Sequence, residues 1–347
     1  MASVPVLQPA DPFLECAGED LRRRVFMTEN ATGAALRLRP EFTIPICLDH
    51  MASGAQSGRT GYDGTVFRQG RSGASEFRQI GLEDLGDSDE LAADAACLSD
   101  MITTLQACGL AAPSITLGDQ QVFEQVVEAL GLPQSIAARM ERRFGAPQTL
   151  SSLIEDLRQP TVMEDEPSEI EALARAGDNE SLVAAVEAMM VAASLPLAGG
   201  RTAQDITDRM IAKSAEARFR LTDRQAETLR DFLDLAVPLH RAVDALSKFA
   251  AEASLEIEPA LTVFENRVTA FSDAGIELER IIFRSSFGRK LDYYSGLVFE
   301  VASDLAGEAV AGGGRYNRLC TLLGASREVP AVGFSITMDR LPNGGAA

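Results

Sequence analysis

Polar side chains recur at positions where this sequence otherwise reads as β-strand. Arg39, Glu41 and Thr43 stand in LRLRPEFTIP, Arg68 closes TVFR, and Gln79 and Glu83 fall in FRQIGLEDLG. Arg289, Asp292, Tyr293 and Tyr294 fall in GRKLDYYSGLVFEV, and Arg315 and Tyr316 in AGGGRYNRL. Burying a charge on a sheet is costly unless it meets a partner or a ligand, so these positions are where chemistry is to be sought. Together they offer carboxylate, amide and guanidinium groups that suit a small zwitterion such as an amino acid. The same residues would also serve as structural ion pairs within a mixed sheet, and residue type alone does not choose between the two. Glycines 312–314 permit close backbone approach to a ligand, yet they also read as a plain turn, and no GxGxxG or P-loop pattern follows a strand.

Other chemistries find little support. The two histidines, His50 and His240, are isolated from each other and from any motif that would supply a nucleophile and a carboxylate. Cys16, Cys47, Cys97, Cys108 and Cys320 form no CxxC pair, so neither a zinc site nor a disulfide framework is indicated, and no metal or cofactor is expected. A net charge of −19 weakens attraction to a polyphosphate backbone. The arginines of LRRRV (Leu21–Val25) and RRF (Arg142–Phe144) read as solvated faces of helical patterns.

The elements that must position these residues fall into three regions. A chain that is 46% hydrophobic and 24% charged is neither disordered nor a disulfide scaffold, and 347 residues allow two compact units or one core with an insertion. Residues 1–118 mix β-type runs at Ala35–Leu38, Thr65–Arg68, Glu76–Leu82 and Pro113–Leu117 with a helical pattern over Ser88–Ala107. From 119 to 275 the period is helical almost throughout. Asp119 reads as an N-cap before the stripe Val122, Val126 and Leu130, which Gly131 and Pro133 close. Thr222 with Gln225 reads as a capping box, Asp178 and Asn179 precede a helix over Leu182–Val191, and Gln159–Pro167 and Ser194–Gly200 read as connectors. Residues 276–347 return to strands at Arg280–Phe283, Arg289–Ala302 and Val329–Ser335, with short helices after Gly314 and from Thr337 and a frayed tail. The class is α+β, a sheet-based core interrupted by a helical block. The opening residues show no signal-peptide pattern and no segment stays apolar for about 18 residues, so a cytoplasmic protein with no membrane partner is expected.

Taken in order, LRLRPEFT, TVFR with FRQIGLEDLG, GRKLDYYSGLVFE, GGGRYNRL and PAVGFSITMDRL resemble the catalytic core of histidyl-tRNA synthetases. The resemblance implies a class II synthetase fold, an antiparallel sheet flanked by helices that dimerises through this core. By the same resemblance, Glu41 and Thr43 match residues that hold a substrate α-amino group, and Gln79 one that meets the main-chain end of histidine. Glu83 and Tyr294 match those that read the imidazole, with Tyr293 beside them and Tyr316 at another wall. Arg289 matches the arginine that supports attack of the carboxylate on ATP, and Arg68 and Arg340 match the pair that holds the α-phosphate and stacks on adenine.

The departures from that pattern point away from a synthetase. Arg68 is followed by Gln69 and Gly70 where arginine, any residue and glutamate are expected, which removes the acceptor for the adenine amino group. Thr337 stands where a glycine would let ATP approach, and the loop between Arg68 and Gln79 reads as short. The sequence ends just after the last motif, so no anticodon-binding domain and no tRNA partner are expected. These features resemble the synthetase-like regulatory subunits that accompany the short form of ATP phosphoribosyltransferase. That resemblance implies a non-catalytic chain, in a hetero-oligomer with the short catalytic subunit and with itself as a dimer, needed for the first step of histidine biosynthesis. It makes L-histidine a candidate ligand for feedback, and Arg68 and Arg340 vestigial ATP-site positions. The retained arginines keep open an alternative, a shortened synthetase-like enzyme that activates an amino acid with ATP.

Overall fold

The computed structural model of the chain describes residues 1–11, 13, 22–70, 75–159, 169–192, 202–289, 293–302 and 309–341. The chain opens with β1 (Leu7–Pro9), β2 (Met27–Glu29) and β3 (Ala35–Leu38), a small sheet in the order β1-β3-β2. Helix α1 (Thr43–Ser53), β4 (Gly58–Phe67), β5 (Glu76–Leu85), α2 (Glu90–Ala107) and β6 (Ile115–Asp119) follow. The helical block runs through α3 (Gln120–Ala129), α4 (Gln134–Glu141), α5 (Pro147–Arg158), α6 (Glu169–Ala176), α7 (Asn179–Ala192), α8 (Ala203–Arg218) and α9 (Asp223–Leu233). A short β7 (Ala236–Pro238) then precedes α10 (Ala242–Ala253) and α11 (Glu258–Asp273). The last part holds β8 (Ile281–Arg284), β9 (Leu297–Ala302), β10 (Ala309–Arg315), α12 (Leu319–Leu322) and β11 (Ala331–Thr337).

Eight strands make the main sheet, in the order β4-β5-β11-β10-β9-β6-β8-β7, so strands from both ends of the sequence interleave in one layer. The sheet is antiparallel except at β6 and β8, so the antiparallel sheet flanked by helices that the resemblance implies is present, with one parallel pair. That pair is joined by the long helical crossover, the kind of connection parallel neighbours need. Of the two readings open for glycines 312–314, the plain turn is excluded. They lie within β10, paired with β11 on one side and β9 on the other, and form no turn. Arg289, expected inside a long strand, lies in the segment before β9, which starts only at Leu297. The connectors at Gln159–Pro167 and Ser194–Gly200 and the frayed tail fall almost wholly outside the described residues, as does Asp292.

Alternation along the strands separates the two faces of the sheet. Val332, Phe334 and Ile336 of β11 join Leu297, Phe299 and Val301 of β9 in a large apolar core shared with α2, α3, α5, α9, α10 and α11. The opposite face carries Gly333 and Ser335 of β11 and Glu83 and Gly81 of β5, under a second core built from α1, Tyr62, Tyr293, Tyr294 and Tyr316. Helices α6, α7 and α8 hold a third, small apolar cluster of their own. The caps read from the sequence are in place: Asp119 accepts from the amides of Gln121 and Val122, and Thr222 and Gln225 complete a capping box.

For two of the arginines that residue type left open between ligand contact and structural pairing, the structure gives a structural role. Arg315 turns to the helix face and meets Asp94 at 2.7 Å, and Asp94 also takes Arg267 of α11 at 2.8 Å. Arg267 reaches Asp119 at 2.5 Å, which closes a buried cluster with as many carboxylates as guanidinium groups. Arg39 donates to the carbonyls of Val4 and Thr65 and lies 4.2 Å over the Phe42 ring, pinning the N-terminal segment to β4.

Candidate functional site

The face opposite the large core opens into a chamber of about 590 Å³, within the size range of small-molecule sites. Glu41, Thr43, Gln79, Glu83, Tyr293, Tyr294, Tyr316, Arg289, Arg68 and Arg340 all line it. Residues spread from position 41 to position 340 are thus gathered by the interleaved strands and by the N-terminus of α1.

Glu41 sits just before α1, where the free amides of a helix start attract a carboxylate. Its Oε2 accepts from the Ile44 amide at 3.0 Å, while its Oε1 is buried without a partner. Burial pushes the carboxyl above its ordinary range, against the pull of that amide and of Arg37 and Arg68. Glu83, at the middle of the floor, is gripped by hydroxyls: Thr43 donates to Oε1 at 2.7 Å and Tyr316 donates to Oε2. Desolvation raises its pKa to about 8, and the two donors offset only part of this. Tyr293, Tyr294 and Tyr316 form a triangle of mutually packed rings, with Tyr316 edge-on to the other two, and burial raises the Tyr294 hydroxyl to about 12. These phenols are therefore neutral donors at ordinary pH.

The cationic side of the chamber is built differently. Among the described residues Arg289 makes only long contacts, 3.3 Å to the Phe299 carbonyl and 3.4 Å to the Glu300 carboxylate, and its Nε is buried without a partner. Arg68 donates to the Pro40 carbonyl at 2.7 Å, and burial lowers its pKa to about 10, so it stays charged at neutral pH. Arg68 and Arg340 both rest on the ring of Phe77, at 5.4 and 5.6 Å from its centroid. Thr337 lines the chamber opposite Gln79 in the β5–β11 register, and Gln69 turns its amide to the Val25 carbonyl.

Several lining residues were not picked out from the sequence. Glu300 shares a face with Val298 on β9, alternating with the apolar Phe299 and Val301, a period-2 position that could have flagged it, and Phe77 stands two positions before Gln79 in FRQ. Arg24, read as part of a solvated helical face, donates to the Gln69 carbonyl at 2.9 Å and lines the chamber mouth. Nothing local in LRRRV signals that contact, which spans 45 residues of sequence.

A model of the histidyl-tRNA synthetase family matches residues 1–198 and 188–341. An ATP phosphoribosyltransferase regulatory subunit from Agrobacterium fabrum is 48% identical over 98% of this chain and 91% of its own length. The chain belongs to the ATP phosphoribosyltransferase regulatory subunits, within the histidyl-tRNA synthetase family. The family member from Brucella ovis is 45% identical over 98% of this chain and 92% of its own length. Among solved structures, a Bacillus halodurans protein described as an ATP phosphoribosyltransferase regulatory subunit/histidyl-tRNA synthetase superposes with a TM-score of 0.65, at 19% identity, over 98% of this chain and 73% of that one. Histidyl-tRNA synthetase from Nostoc superposes with a TM-score of 0.61, at 17% identity, over 98% of this chain and 65% of that one. At such identities these structures speak to the fold, the α+β class II synthetase core.

Proposed function

We propose that this chain is a non-catalytic regulatory subunit of ATP phosphoribosyltransferase, serving the first step of histidine biosynthesis beside a separate short-form catalytic chain in the cytoplasm. The observation that carries this is the 48% identity, across nearly the whole chain, to a relative of that name. The insertion at residues 119–275, a dimer of this chain and the absence of a tRNA partner belong to the same proposal.

The chamber supports free histidine as the regulatory ligand. Among its described residues the unpartnered buried side-chain atoms have opposite sign, Glu41 Oε1 and Arg289 Nε, which is the complement of an amino acid's ammonium and carboxylate. Glu83 stands where an imidazole N–H could donate to it. ATP finds less: Gln69 faces Val25, and Thr337 adds a branched side chain to the wall. Histidine would regulate by binding the active and inactive arrangements of the complex with different affinity.

One observation favours a second reading, amino-acid activation: Arg68, Arg289 and Arg340 share the chamber with the carboxylates. A single experiment separates the two. ATP phosphoribosyltransferase activity of the short catalytic subunit is measured with and without this protein, beside histidine-dependent pyrophosphate exchange by this protein alone. Activity that depends on mixing, without exchange, is expected, and exchange by the lone chain would replace the regulatory reading with the enzymatic one. Glu83→Ala should abolish histidine binding by the isolated subunit. Feedback that survives this change intact would put the regulatory histidine elsewhere.

A further inference from the structure

The chamber floor is nearly bare backbone. Across the central strands, Gly81 of β5 faces Ser335 of β11, Ser335 faces Gly312 of β10, and Gly312 faces Glu300 of β9. These glycines are required for different reasons. At Gly81 a Cβ would stand 2.1 Å from the Phe334 carbonyl oxygen, and at Gly333 it would meet the Leu82 carbonyl as well as Glu83, so neighbouring backbone forbids a side chain there.

Gly312 is another case. It is absent from the residues of positive φ, so its backbone angles would suit any residue. A Cβ would stand 1.3 Å from Nη1 of Arg289, 2.4 Å from its Cζ and 3.0 Å from its Nη2, and these three nearest atoms all belong to that one side chain. The Nη1 end of the guanidinium therefore occupies the space that a side chain at 312 would fill. Among the described residues its polar contacts are long, 3.3 Å to a carbonyl and 3.4 Å to the Glu300 carboxylate, with Nε unpartnered. Hydrogen bonds that long are weak, so shape and the charge of Glu300 share the holding.

We propose that Gly312 is a positioning residue, the seat that fixes where the Arg289 guanidinium lies and so where an anionic ligand group is received. The seat itself follows from geometry. That the anionic group is the carboxylate of histidine rests on the reading of the chamber given above. With a methyl at 312, Arg289 must lift off the strand by about the width of that group, and its Nε leaves the buried position from which it would meet the ligand.

Four full-length proteins test this: the parent, Gly312→Ala, Arg289→Ala and the double variant. Denaturant unfolding midpoints come first, because they do not depend on any ligand. Gly312→Ala is expected to lower the midpoint when Arg289 is present and to leave it unchanged or higher in the Arg289→Ala background. Equal effects in both backgrounds would overturn the seat. The double variant must fold as well as Arg289→Ala, so failure of the single variant to fold leaves the test intact. Histidine titration by calorimetry follows on the same proteins. Gly312→Ala should weaken binding by roughly tenfold or more, as Arg289→Ala does, with no further loss in the double variant. Full affinity in Gly312→Ala would sink the positioning role. A parent that binds no histidine would refute the reading of the chamber, while the unfolding midpoints would still decide the seat.

Discussion

Two clusters of buried charge lie on opposite faces of one sheet and are built on opposite plans. On the helix face, Asp94 serves both Arg315 and Arg267, and Arg267 also reaches Asp119, so each cation meets an anion within 2.8 Å. On the chamber face, Glu83 is held by hydroxyls and Glu41 by backbone amides, while Arg68 and Arg340 donate to the carbonyls of Pro40 and Ala309 and lie over a phenylalanine ring. A closed cluster needs nothing more and acts as scaffold. An open one is left to be completed from outside, and its unpartnered atoms describe what completes it.

The contrast breaks most readily at its closed side. Arg267→Met leaves Asp119 buried without its cation and should cost about 3–5 kcal/mol in urea unfolding, because losing one partner of a buried pair strands the other. A cost near that of a surface substitution would show that the cluster is not scaffold.

Glu83 sharpens the open side through pH. Its folded pKa, about 8, lies above the value in the unfolded chain, so the folded state binds the extra proton between the two. The stability this confers is present at low pH and is lost as pH rises from the ordinary carboxylate range to about 8. Glu83→Gln, which cannot ionise, should therefore gain on the parent as pH increases, by about 2–4 kcal/mol at pH 9 relative to pH 4, read from unfolding midpoints at each pH. A constant difference would mean that Glu83 ionises normally.

Glu41→Gln keeps the shape and should cost binding without costing stability. Histidine affinity is expected to fall by about a hundredfold, roughly 3 kcal/mol, in calorimetric titration, with the unfolding midpoint unchanged or raised. The smallest effect belongs to a pair outside both clusters, Arg78 with Asp63 at the half-exposed edge of β4 and β5. Asp63→Asn should change stability by less than about 1 kcal/mol.

The same contrast explains what could be read in the amino-acid order. Local signals were legible: the Asp119 cap, the Thr222 and Gln225 box and the strand at Ala35–Leu38 depend on neighbours a few residues away. The chamber residues were legible because ordered motifs carried them. The role of Arg315 stayed open because nothing near it reveals Asp94, 221 residues earlier, and a guanidinium in a scaffold looks the same in sequence as one awaiting a ligand. The glycines of β10 stayed open for a related reason. Glycine has low strand propensity, and only the neighbouring strands at Gly313 and Gly314 and the Arg289 side chain at Gly312 show why bare backbone belongs there.

Arg315 and Tyr316 are consecutive, yet the first joins the ion cluster under the sheet and the second holds Glu83 above it. One peptide unit thus spans the thickness of the layer. Inserting or deleting a single residue in β10 would exchange the two, sending a phenol among carboxylates and a guanidinium onto Glu83. The strand's length is therefore fixed at both faces at once, and the segment can evolve by exchanging residues but not by gaining or losing one.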